Sequence, residues 1–461
     1  MARIRVVAGS CWPCKKRRVR CDLEKPVCQR CLQAGATCDY NTRLIRWSSR
    51  PSARTVPSIM QIAGLGRDGL GAREQRALDY FHGRVWPLLQ TSEEPCAPPL
   101  PVAIQHRVVL LATCVLADSH RLLQDGKDHD GSLNTKRLEC LAAIRSEVDG
   151  CCAQGNNSTG LPHVLLFAVL LLHLHDGFME LAGHVASTSS HHKGVLAILG
   201  QLGGLEPVLR TSQESLQMLL SEFVSADLTS ALLQGIAPSY PPAAWHVIDQ
   251  GAVWWGRDPL GRYSLAFVLR EMSAMAFYHD SLVNGQSSLC MDEVHSFEEA
   301  FRPVYAPVAM PMPDSPSEPE AGPLQCLSER DIEAVHAFAL IRTFQHTALI
   351  FLYRAICGLP TLHPLVQQHV RSCLDCIMEI ERSSKLLHCV IFPLCVAGAH
   401  AQSPDSQHEV LSMTNMIYDN MRFASVKAVS QVLTSIWTTQ SSLDLTWTEL
   451  FAQLSPHVLV L

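Results

Sequence analysis

Six cysteines near the amino terminus limit what the chain can fold into more than any other feature. Cys11, Cys14, Cys21, Cys28, Cys31 and Cys38 spell C-x2-C-x6-C twice, and the second set repeats the first after a shift of 17 residues. Thiolates are soft ligands that zinc takes in tetrahedral sets of four, and a C-x-x-C pair can aim both sulfurs at one metal. Six sulfurs fill two tetrahedra if two of them bridge. A module of about 30 residues cannot bury enough apolar surface to fold on its core alone, so metal must take the place of the core. Structural zinc contributes on the order of 10–16 kcal/mol in small finger peptides, which is ample. The competing reading, a disulfide framework, needs an oxidising compartment, and Met1 to Ser10 lacks an apolar core long enough for a signal peptide. Two Zn(2+) are therefore the expected cofactors.

Between Cys14 and Cys21 runs KKRRVR, five cations in six residues with no Gly or Pro. Such a run favours a short helix started at the Cys14 turn. Two divalent cations on six thiolates leave a net charge of about −2, which Lys15, Lys16, Arg17, Arg18 and Arg20 would offset. Cations presented together at a duplex groove gain affinity by neutralising phosphates and releasing counterions. Base reading asks for a bidentate side chain on guanine O6 and N7, worth about 1–3 kcal/mol of discrimination. A nuclear-import signal or a plain solvated face would also use such a run, but this one is embedded inside the cysteine motif.

The six cysteines, the basic run and Pro26 between the half-sites resemble the fungal binuclear zinc-cluster transcription factors. The resemblance implies that Cys11 and Cys28 bridge the metals, with Cys14 and Cys21 completing one site and Cys31 and Cys38 the other. It places the base-reading pair at Arg17 and Arg18, where relatives usually carry Lys, and implies a CGG-like triplet. Lys15, Lys16, Arg20, Lys25 and Arg30 are then expected phosphate contacts, which position without specifying.

Charge is divided along the chain. Residues 1–50 hold twelve Lys or Arg against three Asp or Glu, a net of +9, while the remaining residues carry a net of −15. A basic head on an acidic body suits a DNA-binding module joined to something that is not one. The other twelve cysteines are scattered without pairing spacings, as in a reducing compartment, and the nucleus is the expected location. The longest apolar run, Val164 to Leu174, is broken by His173 and reads as a buried helix rather than a membrane span.

The expected organisation is a zinc-cluster domain at 1–40, a flexible linker at 41–71 and a helical domain at 72–454. The linker mixes Ser, Arg, Pro and Gly and shows no heptads, so a homodimer would have to form elsewhere. Its Gly64, Gly66 and Gly69 match GxGxxG without a preceding β-rich run and read as a loop. From Ala72 onward apolar residues recur every three or four positions, the mark of helices packed on helices. Helices are expected over 72–89, ended by Pro87, and over 103–123, 132–151, 162–183 and 328–358. Seven prolines between 302 and 326 exclude helix there and predict an exposed disordered insertion. LDYFHGRVWPLL, HHKGVLAILGQLGG, FPLCVAGAHA, MRFASVKAVSQVLTSIW and DLTWTELF resemble, in that order, the regulatory region of one subgroup of these fungal factors. The fold class expected is mainly α: a small cluster with two short helices and loops, then a large all-α regulatory domain.

Other constellations read as structural. Cys373, Cys376 and His369 share a helical face among apolar neighbours and are expected in the core. DGKDHDGSLNTKR (125–137) fails the calcium-loop register. His173, His175, His184, His191 and His192 complete no metal pattern and read as surface or satisfied core side chains. No G-x-S-x-G, Walker loop or H-E-x-x-H occurs, so an enzyme reading lacks a nucleophile or cofactor site. The function expected is a nuclear, sequence-specific regulator binding double-stranded DNA. It would activate RNA polymerase II genes, for instance a secondary-metabolite cluster, through the transcription machinery or co-regulators. The alternative is a zinc-stapled protein-interaction adaptor that reads no DNA, and no membrane partner is expected.

Overall fold

The computed structural model describes residues 11, 14, 19–35, 38, 70–90, 96–126, 131–154, 160–179, 188–250, 264–303, 329–439, 445–452, 454 and 459–460. The chain divides into two compact units, Met1–Ile62 and Ala63–Leu461. Both are helical, and no β-strand occurs among the described residues.

Among the described residues of the first unit the buried ones are five cysteines, Cys11, Cys14, Cys21, Cys28 and Cys31, with Cys38 packed partly buried against them. The apolar side chains nearby are exposed, Val19 at 39%, Leu23 at 39%, Val27 at 40% and Leu32 at 65%. Sulfur thus stands where a larger domain would place hydrocarbon, and with so little apolar burial the unit depends on what the thiols hold. One short helix, Gln29–Gln33, is described; the residues expected to form the other lie mostly outside the described set.

The second unit is a bundle of packed helices. Leu161–Phe178 is buried on every side from Val164 to Phe178, because its sequence offers no polar stripe to turn outward. It packs against Arg107–Gln124 and Thr188–Gln201, while Glu329–Phe351 packs against Pro364–Met378. Among the described residues three helices, including Leu161–Phe178 and Glu214–Gln234, are long and apolar enough to cross a bilayer by length and composition, yet 83–94% of each apolar window is buried within the protein. Each fully buried Leu or Phe contributes about 1.5–3 kcal/mol relative to exposure, so apolar burial carries this unit. Trp447, at the start of the last helix, donates its indole N–H to the Leu232 carbonyl at 2.8 Å and meets Phe351 edge-on at 4.9 Å.

The first helix differs from expectation in an instructive way. It does not end at Pro87: Ala72–Tyr80 widens into a π-helical stretch, Phe81–Val85, and continues as Trp86–Leu89. Proline lacks an N–H and its ring crowds the carbonyl four residues back. The wider turn, in which Trp86 N–H bonds the Phe81 carbonyl, makes room for it. The helix expected over 103–123 is likewise split, into Leu100–Gln105 and Arg107–Gln124 about an extended His106. Residues 131–137 of the calcium-like segment lie in the helix Gly131–Gln154. The GxGxxG stretch and all but the first residues of the proline-rich insertion lie outside the described residues.

Candidate metal centre

The six cysteines converge from four places: Cys11 and Cys14 near the start, Cys21 in a loop, Cys28 and Cys31 at the start and within the helix Gln29–Gln33, and Cys38 beyond it. Their sulfurs form two sets of four, Cys11, Cys14, Cys21 and Cys28, then Cys11, Cys28, Cys31 and Cys38, each lying within 4.8 Å of one another. Cys11 and Cys28 belong to both. The shared edge, Cys11 Sγ to Cys28 Sγ, is 3.6 Å. Cys14 to Cys28 is 3.6 Å and Cys11 to Cys21 is 3.8 Å in one set, and Cys11 to Cys31 is 3.6 Å in the other.

These separations test whether zinc fits. A tetrahedron with Zn–S bonds of about 2.3 Å has edges of about 3.8 Å. The observed edges match it, all donors are sulfur, and none of the six is in a disulfide. The residues fit two zinc ions.

Backbone N–H groups orient the sulfurs. Cys31 N–H points at Cys28 Sγ and Cys28 N–H at Cys38 Sγ, each at 3.4 Å. Burial pushes the Cys11 and Cys14 thiols up, Cys14 to about 12. Burial also raises Cys28, but hydrogen bonds from the Cys31 backbone and from the Cys31, Cys11 and Cys14 thiols outweigh it and bring Cys28 down to about 6.

Asp22, to which the cysteine spacing does not point, ties the half-sites together. Its Oδ1 accepts from the N–H of Glu24 at 3.1 Å and of Gln29 at 3.2 Å, and its Oδ2 from Arg30 N–H at 3.3 Å. Desolvation raises its carboxyl and these three bonds more than offset that, holding it below the usual range. Leu23 adopts a left-handed φ of 69° so that the chain can turn between Asp22 and Glu24.

The cations fall into two groups. Arg20, Lys25 and Arg30 are exposed on the cluster unit. Lys15, Lys16, Arg17 and Arg18 lie outside the described residues, although Val19 N–H donates to the Cys14 carbonyl at 3.1 Å across the run.

Residues 76–461 match the fungal specific transcription factor domain, and residues 9–48 match the fungal Zn(2)-Cys(6) binuclear cluster domain. The chain belongs to the fungal zinc-cluster transcription factors. Its cluster domain binds two zinc ions. A further similarity is to the geodin cluster transcription factor of Aspergillus terreus, at 53% identity over 32 residues, 7% of this chain and 14% of that protein. The match thus spans about a seventh of the relative's length. No solved structure matches.

Among the described residues, the histidines and cysteines of this factor's helical body make no comparable centre. Cys373 and Cys376 are buried in the core, their thiols pushed up by burial to about 12 and about 11, and His369 pairs with His346 at 2.9 Å. Among the described residues, the groups able to hold a metal are the two cysteine sets alone. His173, His175 and His191 are buried, which is the core rather than the surface form of the expectation. Ser119, His175 and Asp176 stand in the order of a hydrolase triad, at 2.9 Å and 2.7 Å. All three are buried, however, and the Asp176 carboxylate is also held by Arg137, which donates to both of its oxygens, and by His191 at Oδ2. The arrangement cross-links Arg107–Gln124 to Leu161–Phe178, and it leaves no face of Ser119 open to a substrate.

Proposed function

We propose that this factor is a nuclear, sequence-specific DNA-binding activator of RNA polymerase II genes, not an enzyme. The observation that carries the reading is the pair of cysteine tetrads sharing Cys11 and Cys28, with the KKRRVR run between two of their ligands. Cys11 and Cys28 bridge, Cys14 and Cys21 complete one site, and Cys31 and Cys38 the other. Zinc, once bound, supplies no reaction: it fixes six side chains and thereby the chain between them.

With Cys14 and Cys21 tied to the same metal, the basic run is held at both ends. Arg17 and Arg18 then enter the major groove and read guanines of a CGG-like triplet through their planar forks. Lys15, Lys16, Arg20, Lys25 and Arg30 lie against phosphates; exposure of the last three supports that role. The domains run 1–40, 41–71 and 72–454, the helical part engaging the transcription machinery or co-regulators. Local identity to a factor named for the geodin cluster supports control of a metabolic gene cluster.

The test is Arg18→Ala in the zinc-loaded protein. Discrimination between CGG and single-base variants should relax by about 1–3 kcal/mol with zinc content unchanged. Unchanged discrimination would remove Arg18 from the reading pair.

A further inference from the structure

The helical body holds a partly open cavity of about 50 Å³ lined by Phe178, Phe344, Phe423, Leu265, Leu269 and Met421. Two of the walls, Phe178 and Phe423, stack at 4.9 Å. Into this apolar space the helix Glu214–Gln234 projects Glu222 and, one turn on, Ser225. Residues three apart share a helix face, so the two polar groups converge. Neither has a partner: the Ser225 hydroxyl is buried without a hydrogen bond, and no hydrogen bond or ion pair reaches Glu222 among the described residues. Glu222 is only 6% exposed.

A buried carboxyl left alone costs several kcal/mol when ionised, and a buried polar group without a partner calls for an explanation in the molecule. Burial alone raises the Glu222 carboxyl to about 8, so near neutrality it carries its proton and presents an O–H donor as well as an acceptor oxygen. His388 also lines the cavity, its Nδ1 without a hydrogen bond, and burial lowers it to about 4, which keeps it uncharged. The polar side of the cavity is therefore neutral at pH 7 and suits a hydroxyl better than a cation. At about 10–15 Å³ per water on this measure, the space holds roughly four waters, the bulk of one six-membered ring.

We propose that this cavity is a binding site for a compact, uncharged ring compound bearing one hydroxyl, the ring against Phe178, Phe344 and Phe423 and the hydroxyl between Glu222 and Ser225. The site is separate from the metal cluster and does not depend on how the cluster reads DNA.

The experiment titrates phenol, toluene and benzylamine separately into the zinc-loaded full chain at pH 7, read by calorimetry and by the thermal midpoint of the helical signal. Phenol should bind saturably, raise the midpoint and bind about 3- to 10-fold tighter than toluene, the worth of one neutral hydrogen bond. Glu222→Gln keeps shape and hydrogen bonding and should retain that preference. Glu222→Leu should abolish it while the midpoint stays at or above the parent value, since an unpartnered carboxyl is replaced by hydrocarbon. If Glu222→Leu does not fold, Ser225→Ala carries the test and should cut the preference below about 3-fold. Non-saturable phenol binding, equal binding of phenol and toluene, tighter binding of benzylamine, or a phenol preference that survives Glu222→Leu or Ser225→Ala would each overturn the assignment.

Discussion

Cys11 and Cys28 lie 17 residues apart in sequence, and their sulfurs meet at 3.6 Å as the common edge of two four-sulfur sets. The other four cysteines each belong to one set. That asymmetry makes the ligands unequal. Cys28→Ser should remove both zinc ions, taking the content per chain from two towards zero. Cys38→Ser should leave the set built on Cys11, Cys14, Cys21 and Cys28 intact and retain about one. Elemental zinc analysis after gel filtration checks this, and equal losses in the two variants would contradict it.

Asp22 is the second lever on the cluster. Its carboxylate gathers three backbone N–H groups next to the Cys28 and Cys31 ligands, the role of an outer partner that orients metal ligands. Asp22→Ala should weaken zinc binding about 10- to 100-fold in a chelator competition, and Asp22→Asn by less, because an amide oxygen still accepts.

The helical body should show opposing pH dependences. Glu222 has a folded value of about 8 against about 4.5 unfolded, so between these limits the folded state holds a proton that the unfolded state has lost. Stability therefore falls as pH rises from about 4.5 to about 8, by at most about 1.4 kcal/mol per pH unit. Burial lowers His388 and His400 to about 4, from about 6.5 unfolded. Their contribution is complete above about 6.5 and is lost as pH falls below it, when the unfolded state takes up protons first. Denaturant titrations from pH 5 to 8 should show Glu222→Gln flattening the neutral-side decline and leaving the acid-side decline in place.

Gly177 and Leu459 form a close long-range contact. Leu459 N–H donates to the Gly177 carbonyl at 3.1 Å, and a Cβ at Gly177 would overlap the Leu459 side chain. Gly177→Ala should destabilise the body by about 1–3 kcal/mol, the cost of overpacking. Combining it with Leu459→Ala should recover part of that loss, which a double-mutant cycle by thermal unfolding would measure.

These features differ in how far the sequence announces them. Four of the six metal ligands come in pairs separated by two residues, so the cysteines declare themselves locally, and the recurrence of apolar residues every three or four positions does the same for the helices. Asp22 could have been suspected only from its place in the loop ahead of Gln29, where a carboxylate can cap a helix start. Glu222 sits in a largely apolar stretch, MLLSEFVSADL, as one of two acidic residues with Asp227, and periodicity does not mark it as the one facing the core. Its isolation is set by Phe178, Phe344 and Phe423, which come from distant parts of the chain. The π-helical stretch before Pro87 was hidden for another reason: proline is read as a terminator, and the relief comes from hydrogen bonding that sequence does not spell out.

The central claim is that a two-zinc scaffold presents the KKRRVR run to DNA. Its most direct test is selection of duplexes from a random pool by the zinc-loaded full chain, repeated after chelation and at several salt concentrations. The account predicts enrichment of a CGG-like triplet that vanishes on chelation, with affinity falling steeply as salt rises. Recovery of the random pool without an enriched triplet, or enrichment indifferent to zinc, would contradict it.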